Sequence, residues 1–230
     1  LREAVLLRAR AFRFLGATVR RASAGRRPER RRHGRRFGFG YPAHAAAEPG
    51  VVDLQCARPA ALVPLLSRRK TRPLAARAFE NLERRTLPLL DRPRHQIIHG
   101  DFNANNVLIE SPHAQRVGGV IDFGDLTFGP RVNDLAIAAA SHCARPVPGI
   151  LAVCSGYTSV TRLLREETDA IFDLICLRDA VRLSFWAGQA AEAGQRLSPA
   201  IEEPATMKLA MLLETDARER VHRLLNMQAA

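Results

Sequence analysis

Lysine is nearly missing from this chain of 230 residues, occurring only as Lys70 and Lys208. A long apolar run is missing too: no stretch reaches the roughly 18 residues that a membrane span needs, so no membrane partner is expected. Cysteine is sparse and scattered. Cys56, Cys143, Cys154 and Cys176 include no C-x-x-C pair, which argues against a disulfide frame or a zinc ribbon. Free thiols of this kind fit a reducing compartment, and a cytoplasmic location is the expectation. Acidic residues are almost absent from residues 1–50, where thirteen arginines face Glu3, Glu29 and Glu48. That segment therefore holds +10 of the net +12, and the remaining 180 residues hold +2.

The arginine-rich end and the rest read as different material. Residues 1–20 could form one short helix without a clean apolar stripe. Residues 21–50 are Arg, Gly, Ala and Pro with few apolar anchors. Their charges repel, and they cannot bury enough surface to offset ordering, so 1–50 is expected to be poorly ordered. No interleaved aromatics accompany the arginines, and nucleic acid is not the expected partner. A targeting segment and a frame-shifted stretch are the other readings of this end.

Residues 51–230 have the texture of a folded unit. Helices broken by Pro64, Pro73 and Pro88 are expected over 59–90, with Leu74, Ala78, Leu82 and Leu87 near helical spacing. Short strands are expected at IIHGD, NNVLIE and VGGVIDFGD, with Gly118 and Gly119 suited to a turn. Asn133 is a plausible N-cap for VNDLAIAAASHC. A long helix follows, with Ile171, Leu174, Ile175, Leu177, Val181 and Phe185 apolar, and Phe185 and Trp186 read as core. A last helix covers 204–226 with Pro204 at its start. His142-Cys143 lacks spaced partners and reads as packing rather than a metal site.

The stretch IIHGDFNANNVLIE, residues 97–110, packs polar groups between apolar runs. Asn106 follows Asp101 by five residues, and Asp122-Phe123-Gly124 comes about twenty residues after Asp101. Phosphoryl transfer from ATP needs this inventory. One carboxylate must orient an attacking hydroxyl and accept its proton. An amide oxygen and a second carboxylate must hold Mg²⁺, a hard cation that keeps part of its water. Asp101, Asn106 and Asp122 can fill those roles, and a β-hairpin between them would fix their separation. By residue type and place alone, Asp134 reads as a carboxylate stabilising a helix N-terminus.

HGDxxxxN followed by IDFGD resembles the aminoglycoside phosphotransferase and choline kinase family, relatives of the protein kinases. The resemblance is closest to the hydroxylysine kinase branch, through VVDLQ, GVIDFGD and GYTSVTRLLREETDAIFDLICLR, and covers roughly 51–226. It implies an α+β, mainly helical fold: the C-terminal lobe of a protein-kinase-like fold with a short β-hairpin at the catalytic loop. It implies Asp101 as catalytic base, Asn106 and Asp122 as Mg²⁺ ligands, and ATP or GTP as phosphoryl donor. His99 would buttress the loop, and Asp134 would support it from a helix. Asp125 would face the substrate's amine or a second metal-bound water. The implied acceptor is 5-hydroxylysine or a similar hydroxylated amine, with an aminoglycoside as the alternative.

Such a kinase also has a small lobe with a Gly-rich loop and a nucleotide-pairing Lys. Lys70 sits in SRRKTRP, a solvated turn by its neighbours, and GRRFGFG at 34–40 lacks a strand context. With Leu1 at the start, the expectation is a fragment without roughly the first hundred residues of such a kinase. A catalytically silent lobe lacking the nucleotide clamp is therefore the other functional reading.

Overall fold

The structure, a computed structural model, describes residues 59–67, 69–90, 94–111, 114–141, 146–214 and 216–229. The arginine-rich segment 1–50, GRRFGFG, VVDLQ, Cys56 and His142-Cys143 lie outside the described residues.

Among the described residues the fold is α+β and mainly helical. Helix α1 (Thr71–Asn81) runs through a π-helical turn (Leu82–Thr86) into α2 (Leu87–Leu90). The expected breaks at proline take a milder form. Pro64 sits in a 3₁₀ turn (Val63–Leu65), and Pro73 lies in the first turn of α1, where a missing N–H costs nothing. Pro88 would clash with the carbonyl four residues back, and the wider π-helical turn just before it relieves that clash.

Four short strands follow: β1 (His95–Ile98), β2 (Val107–Ser111), β3 (Ala114–Val120) and β4 (Thr127–Pro130). They form two antiparallel pairs, β1 with β4 and β2 with β3. The hairpin β2–β3 pairs Val107 with Val120 at its open end. Gly118 and Gly119 lie inside β3, with Gly119 opposite Leu108, rather than in the expected turn. The register shifts beside Leu108 and Ile109 are where a strand tolerates glycine.

The remaining helices are α3 (Val132–Ala140), α4 (Pro146–Thr158), α5 (Arg165–Glu192), α6 (Pro199–Glu214) and α7 (Ala217–Ala229). Two expectations are corrected. Asn133 is inside α3, not its cap; the cap position is Arg131, and the buried Asn133 Oδ1 has no hydrogen-bond partner. The single helix expected over 204–226 is two helices, with Pro204 inside α6. Pro204 falls in the second turn, where only one carbonyl loses a donor.

Helix α5 is the beam of the fold. Its 28 residues extend roughly 42 Å, and α1, α3, α6 and α7 all pack on it. Ile171, Phe172, Ile175 and Leu183 are fully buried on it, each stabilising by about 1.5–3 kcal/mol. Cys176 is buried on α5 and Cys154 on α4, both free; burial pushes the Cys154 thiol up to about 12 and Cys176 upward as well. Neither thiol is reactive in that state.

The same helix buries three acids, and each is held from another element. Glu167 takes Arg94 Nε at 3.1 Å, just ahead of β1. Asp173 takes the Arg218 guanidinium of α7, which also covers the Phe172 ring. Asp179 takes Lys208 of α6, with Nζ 2.8 Å from Oδ2. Buried charges persist only when paired, so these contacts fix the placement of β1, α6 and α7 around α5.

Lys208→Met leaves Asp179 with Arg182 as its remaining partner and is expected to cost about 3 kcal/mol, read by urea unfolding. Adding Asp179→Leu should return most of that loss. A single mutant of wild-type stability would show that the pair does not anchor α6.

Candidate active site

The loop after β1 turns at Gly100, whose φ is +78°. A Cβ there would lie 2.3 Å from the Asp125 backbone oxygen, so the position requires glycine for both conformation and space. The turn is fastened from behind by α3. Asp134 accepts the backbone N–H of His99 at 2.8 Å on one carboxylate oxygen and that of Gly100 at 3.1 Å on the other. Burial is the first cause that raises the Asp134 carboxyl to about 6, and the two N–H donors oppose it.

His99 is fully buried and links two segments. Its Nδ1 accepts the Asp101 N–H at 3.3 Å, so Nε2 carries the proton and donates to the Ile121 carbonyl at 2.9 Å. The ring packs 5.0 Å from Phe123 and 5.9 Å from Phe102. His99 therefore ties the loop that carries Asp101 to the segment that carries Asp122.

Asp101 is oriented on both oxygens. Arg178 of α5 donates to Oδ1 at 2.5 Å, and Asn103 and Asn106 donate to Oδ2 at 2.8 and 3.3 Å. Asn106 also donates to the Asp101 carbonyl at 2.9 Å. That fixes the amide so that its nitrogen faces Asp101, and no described residue donates to its oxygen. Asn106 ends a 3₁₀ turn (Ala104–Asn106) just before β2, and Asp122 lies just after β3. The Ile121 N–H donates to the Asn106 carbonyl at 3.0 Å, so the base of the hairpin sets their separation.

Asp122 has φ +62°, the one positive φ outside glycine among the described residues. That conformation costs on the order of 1 kcal/mol and leaves the carboxylate exposed. Asp125 is half-buried; burial, then the charges of Asp101 and Asp122, raise its carboxyl, while Arg178 and His99 oppose the rise. Three carboxylates thus gather where the loop and hairpin meet.

The donor set fits Mg²⁺. The Asn106 oxygen is unclaimed, the Asp122 carboxylate is exposed, and the carboxylates repel one another. Among the described residues no three of His, Cys, Asp and Glu converge to cage a metal. Mg²⁺ takes few protein oxygens and fills its sphere with water and phosphate, so two ligands suffice. For the nucleotide the fit is poor among the described residues. Lys208 is buried against Asp179, and Lys70 is exposed ahead of α1.

A cleft of about 250 Å³ opens beside Asp101, between its loop, α3 and α5. Arg178, Arg182, Phe185 and Trp186 of α5 line it. The expectation that Phe185 and Trp186 are core holds in part: both are half-buried and line the cleft, and Trp186 also packs against the core. Sequence reasoning missed both arginines. The signal was there as two arginines four apart, a spacing that stacks side chains on one helical face.

The phosphotransferase enzyme family matches residues 6–163, beginning inside the arginine-rich segment and ending before α5. A hydroxylysine kinase of Xenopus laevis is 34% identical over 102 residues, 40% of this chain and 27% of that protein. A hydroxylysine kinase of Mus musculus is 27% identical over 122 residues, 49% of this chain and 32% of that protein. One of Danio rerio is 31% identical over 105 residues, 44% of this chain and 30% of that protein. The matched segments thus span under a third of these relatives. No solved structure gives a significant match. Among the described residues no helix is long and apolar enough to cross a membrane.

The raised Asp134 carboxyl gives a pH signature. Its value in the folded chain, about 6, exceeds the ordinary 3.8, so the folded state holds the proton more tightly. Its contribution is full below about pH 4 and is lost as pH rises through about 6, a change on the order of 2–3 kcal/mol. Unfolding measured at several pH values should show this downward slope in the native chain and not in Asp134→Asn. Equal slopes would place the titration elsewhere.

Proposed function

Because the chain belongs to the phosphotransferase enzyme family, we propose that its Asp101 site transfers the γ-phosphoryl group of ATP, or of GTP, to the hydroxyl of a small hydroxylated amine. The observation that carries this reading is the oriented Asp101 carboxylate lining a cleft, with Asn106 and Asp122 at the base of one hairpin beside it. The described residues then correspond to the C-terminal lobe of a protein-kinase-like fold.

In this reading Asp101 aligns the acceptor hydroxyl and takes its proton as the new O–P bond forms. Asn106 and Asp122 would hold Mg²⁺ through oxygen. Mg²⁺, when bound, spreads the negative charge that develops on the phosphates. Asp125 faces the ammonium group of the acceptor. His99 and Asp134 keep the loop in register and touch no substrate.

The substrate follows from size and similarity. A cleft of about 250 Å³ lies below the ~300–1,000 Å³ of pockets for drug-sized ligands, which favours a short acceptor over a multi-ring aminoglycoside. The relatives are named hydroxylysine kinases, and hydroxylysine is the acceptor we assign here. A second reading, a silent lobe, is supported by one observation: neither lysine is placed to pair with nucleotide phosphates.

Calorimetry with Mg·ATP, followed by hydroxylysine-dependent ADP release, tests both. Asp122→Ala should abolish nucleotide binding that depends on Mg²⁺. Asp101→Asn should lower kcat by about 10²- to 10⁴-fold with KM little changed. Absence of both binding and turnover in the unaltered chain would favour the silent lobe.

A further inference from the structure

We propose that Arg182 reads a carboxylate on the acceptor, so that the cleft selects an α-amino acid over an amino alcohol that lacks the acid group. The word acceptor rests on the phosphotransferase reading above; the anion site itself rests on the geometry of the cleft.

Arg182 is three-quarters buried, with 27% of its side chain exposed, and its guanidinium lies 4.9 Å over the Trp186 ring. Among the described residues its guanidinium makes one hydrogen bond, a weak one from Nη2 to Asp179 Oδ1 at 3.3 Å. Asp179 is already neutralised by Lys208, whose Nζ is 3.0 Å from the same oxygen. Arg182 Nε is enclosed and has no partner. A ligand in the cleft would meet the terminal Nη groups, whose N–H fork matches a carboxylate. Trp186 and Phe185 supply an apolar wall against which such a pair would be strengthened.

The charge balance of the cleft points the same way. Asp101 is the one acidic residue among those lining it, and Arg178 already pairs with it. The positive charge of Arg182 is left over. A polycation such as an aminoglycoside would be repelled at that end, and an anionic group would be drawn to it. Arg178 and Arg182 are one helical turn apart, a rise of about 6 Å along α5. A ligand whose hydroxyl meets Asp101 beside Arg178 would place its far end beside Arg182. An extended δ-hydroxy α-amino acid spans that interval, with the carboxylate at the Arg182 end. The residues matched to the family end at 163, ahead of this wall.

Trp186 is the only tryptophan in the chain, so its fluorescence reports on the cleft without any phosphoryl transfer. The experiment titrates hydroxylysine, and separately the diamino alcohol that lacks its carboxylate, into the full chain. Hydroxylysine should bind about 10-fold or more tightly than the diamino alcohol. Arg182→Gln should weaken hydroxylysine by about 10- to 100-fold and leave the diamino alcohol unchanged, the loss expected for one charge-assisted contact. Arg182→Lys keeps the charge but not the fork, and should recover part of the loss. Lys208 still pairs with Asp179 in both variants, so both should fold, as circular dichroism would check. Equal affinity for the two ligands, no binding of either, or equal weakening of both by Arg182→Gln would overturn the proposal. Carboxylate-dependent binding without phosphoryl transfer would sink the kinase reading and leave this one standing. Turnover indifferent to the carboxylate and to Arg182 would do the reverse.

Discussion

The site depends on one carboxylate set behind its loop, on α3. Asp134 captures two successive backbone N–H groups, those of His99 and Gly100, and so decides where the chain turns after β1. Everything at the mouth of the cleft follows from that turn. It brings the Gly100 backbone against the Asp125 carbonyl, it sets the His99 ring between the Asp101 N–H and the Ile121 carbonyl, and it presents the Asp101 side chain to Arg178. Burial works against an ionised Asp134, and the two N–H donors work for it. The ionised carboxylate accepts equally on both oxygens, and burial is what opposes that form.

Helix α5 connects this loop to the rest of the molecule. On its buried sides Glu167, Asp173 and Asp179 are locked to Arg94, Arg218 and Lys208, three cations from three different elements. On the remaining side Arg178 and Arg182 face the cleft. A helix held this way can move little, and the Asp101–Arg178 contact inherits that rigidity. In the proposed phosphotransferase role such support would matter, since small displacements of an aligned group cost rate steeply.

The polar cluster between two apolar runs was readable from residues 97–110, because no strand or helix needs so many small polar groups for its own sake. The short hairpin and the long helix were readable from their apolar patterns. What escaped were features set by distant partners. Thr127–Pro130 shows no alternating pattern, and its strand exists because β1, some thirty residues earlier, supplies the pairing. Gly118 and Gly119 look like a turn in isolation and are held in β3 by the register with β2. Asn133 looks like a cap, yet α3 starts at Val132, which is wholly buried. Phe185 and Trp186 continue an apolar helix, and periodicity cannot separate a side chain facing the core from one facing a cleft. The arginine-rich segment lies outside the described residues, although the family match begins within it.

The near-neutral average of residues 51–230 hides a polarised site. Asp122 and Asp125 gather about Asp101, which lines the cleft together with Arg178 and Arg182. Arg178 bears on more than one of these acids. It donates to Asp101, and its charge also offsets the repulsion that raises Asp125. The orientation of Asp101 and the charge of Asp125 are therefore coupled through one guanidinium. Any cation that settles among the three carboxylates would take over part of that compensation and loosen the demand on Arg178. Asp101 and Asp125 thus share one guanidinium, and a change at Arg178 is felt at both.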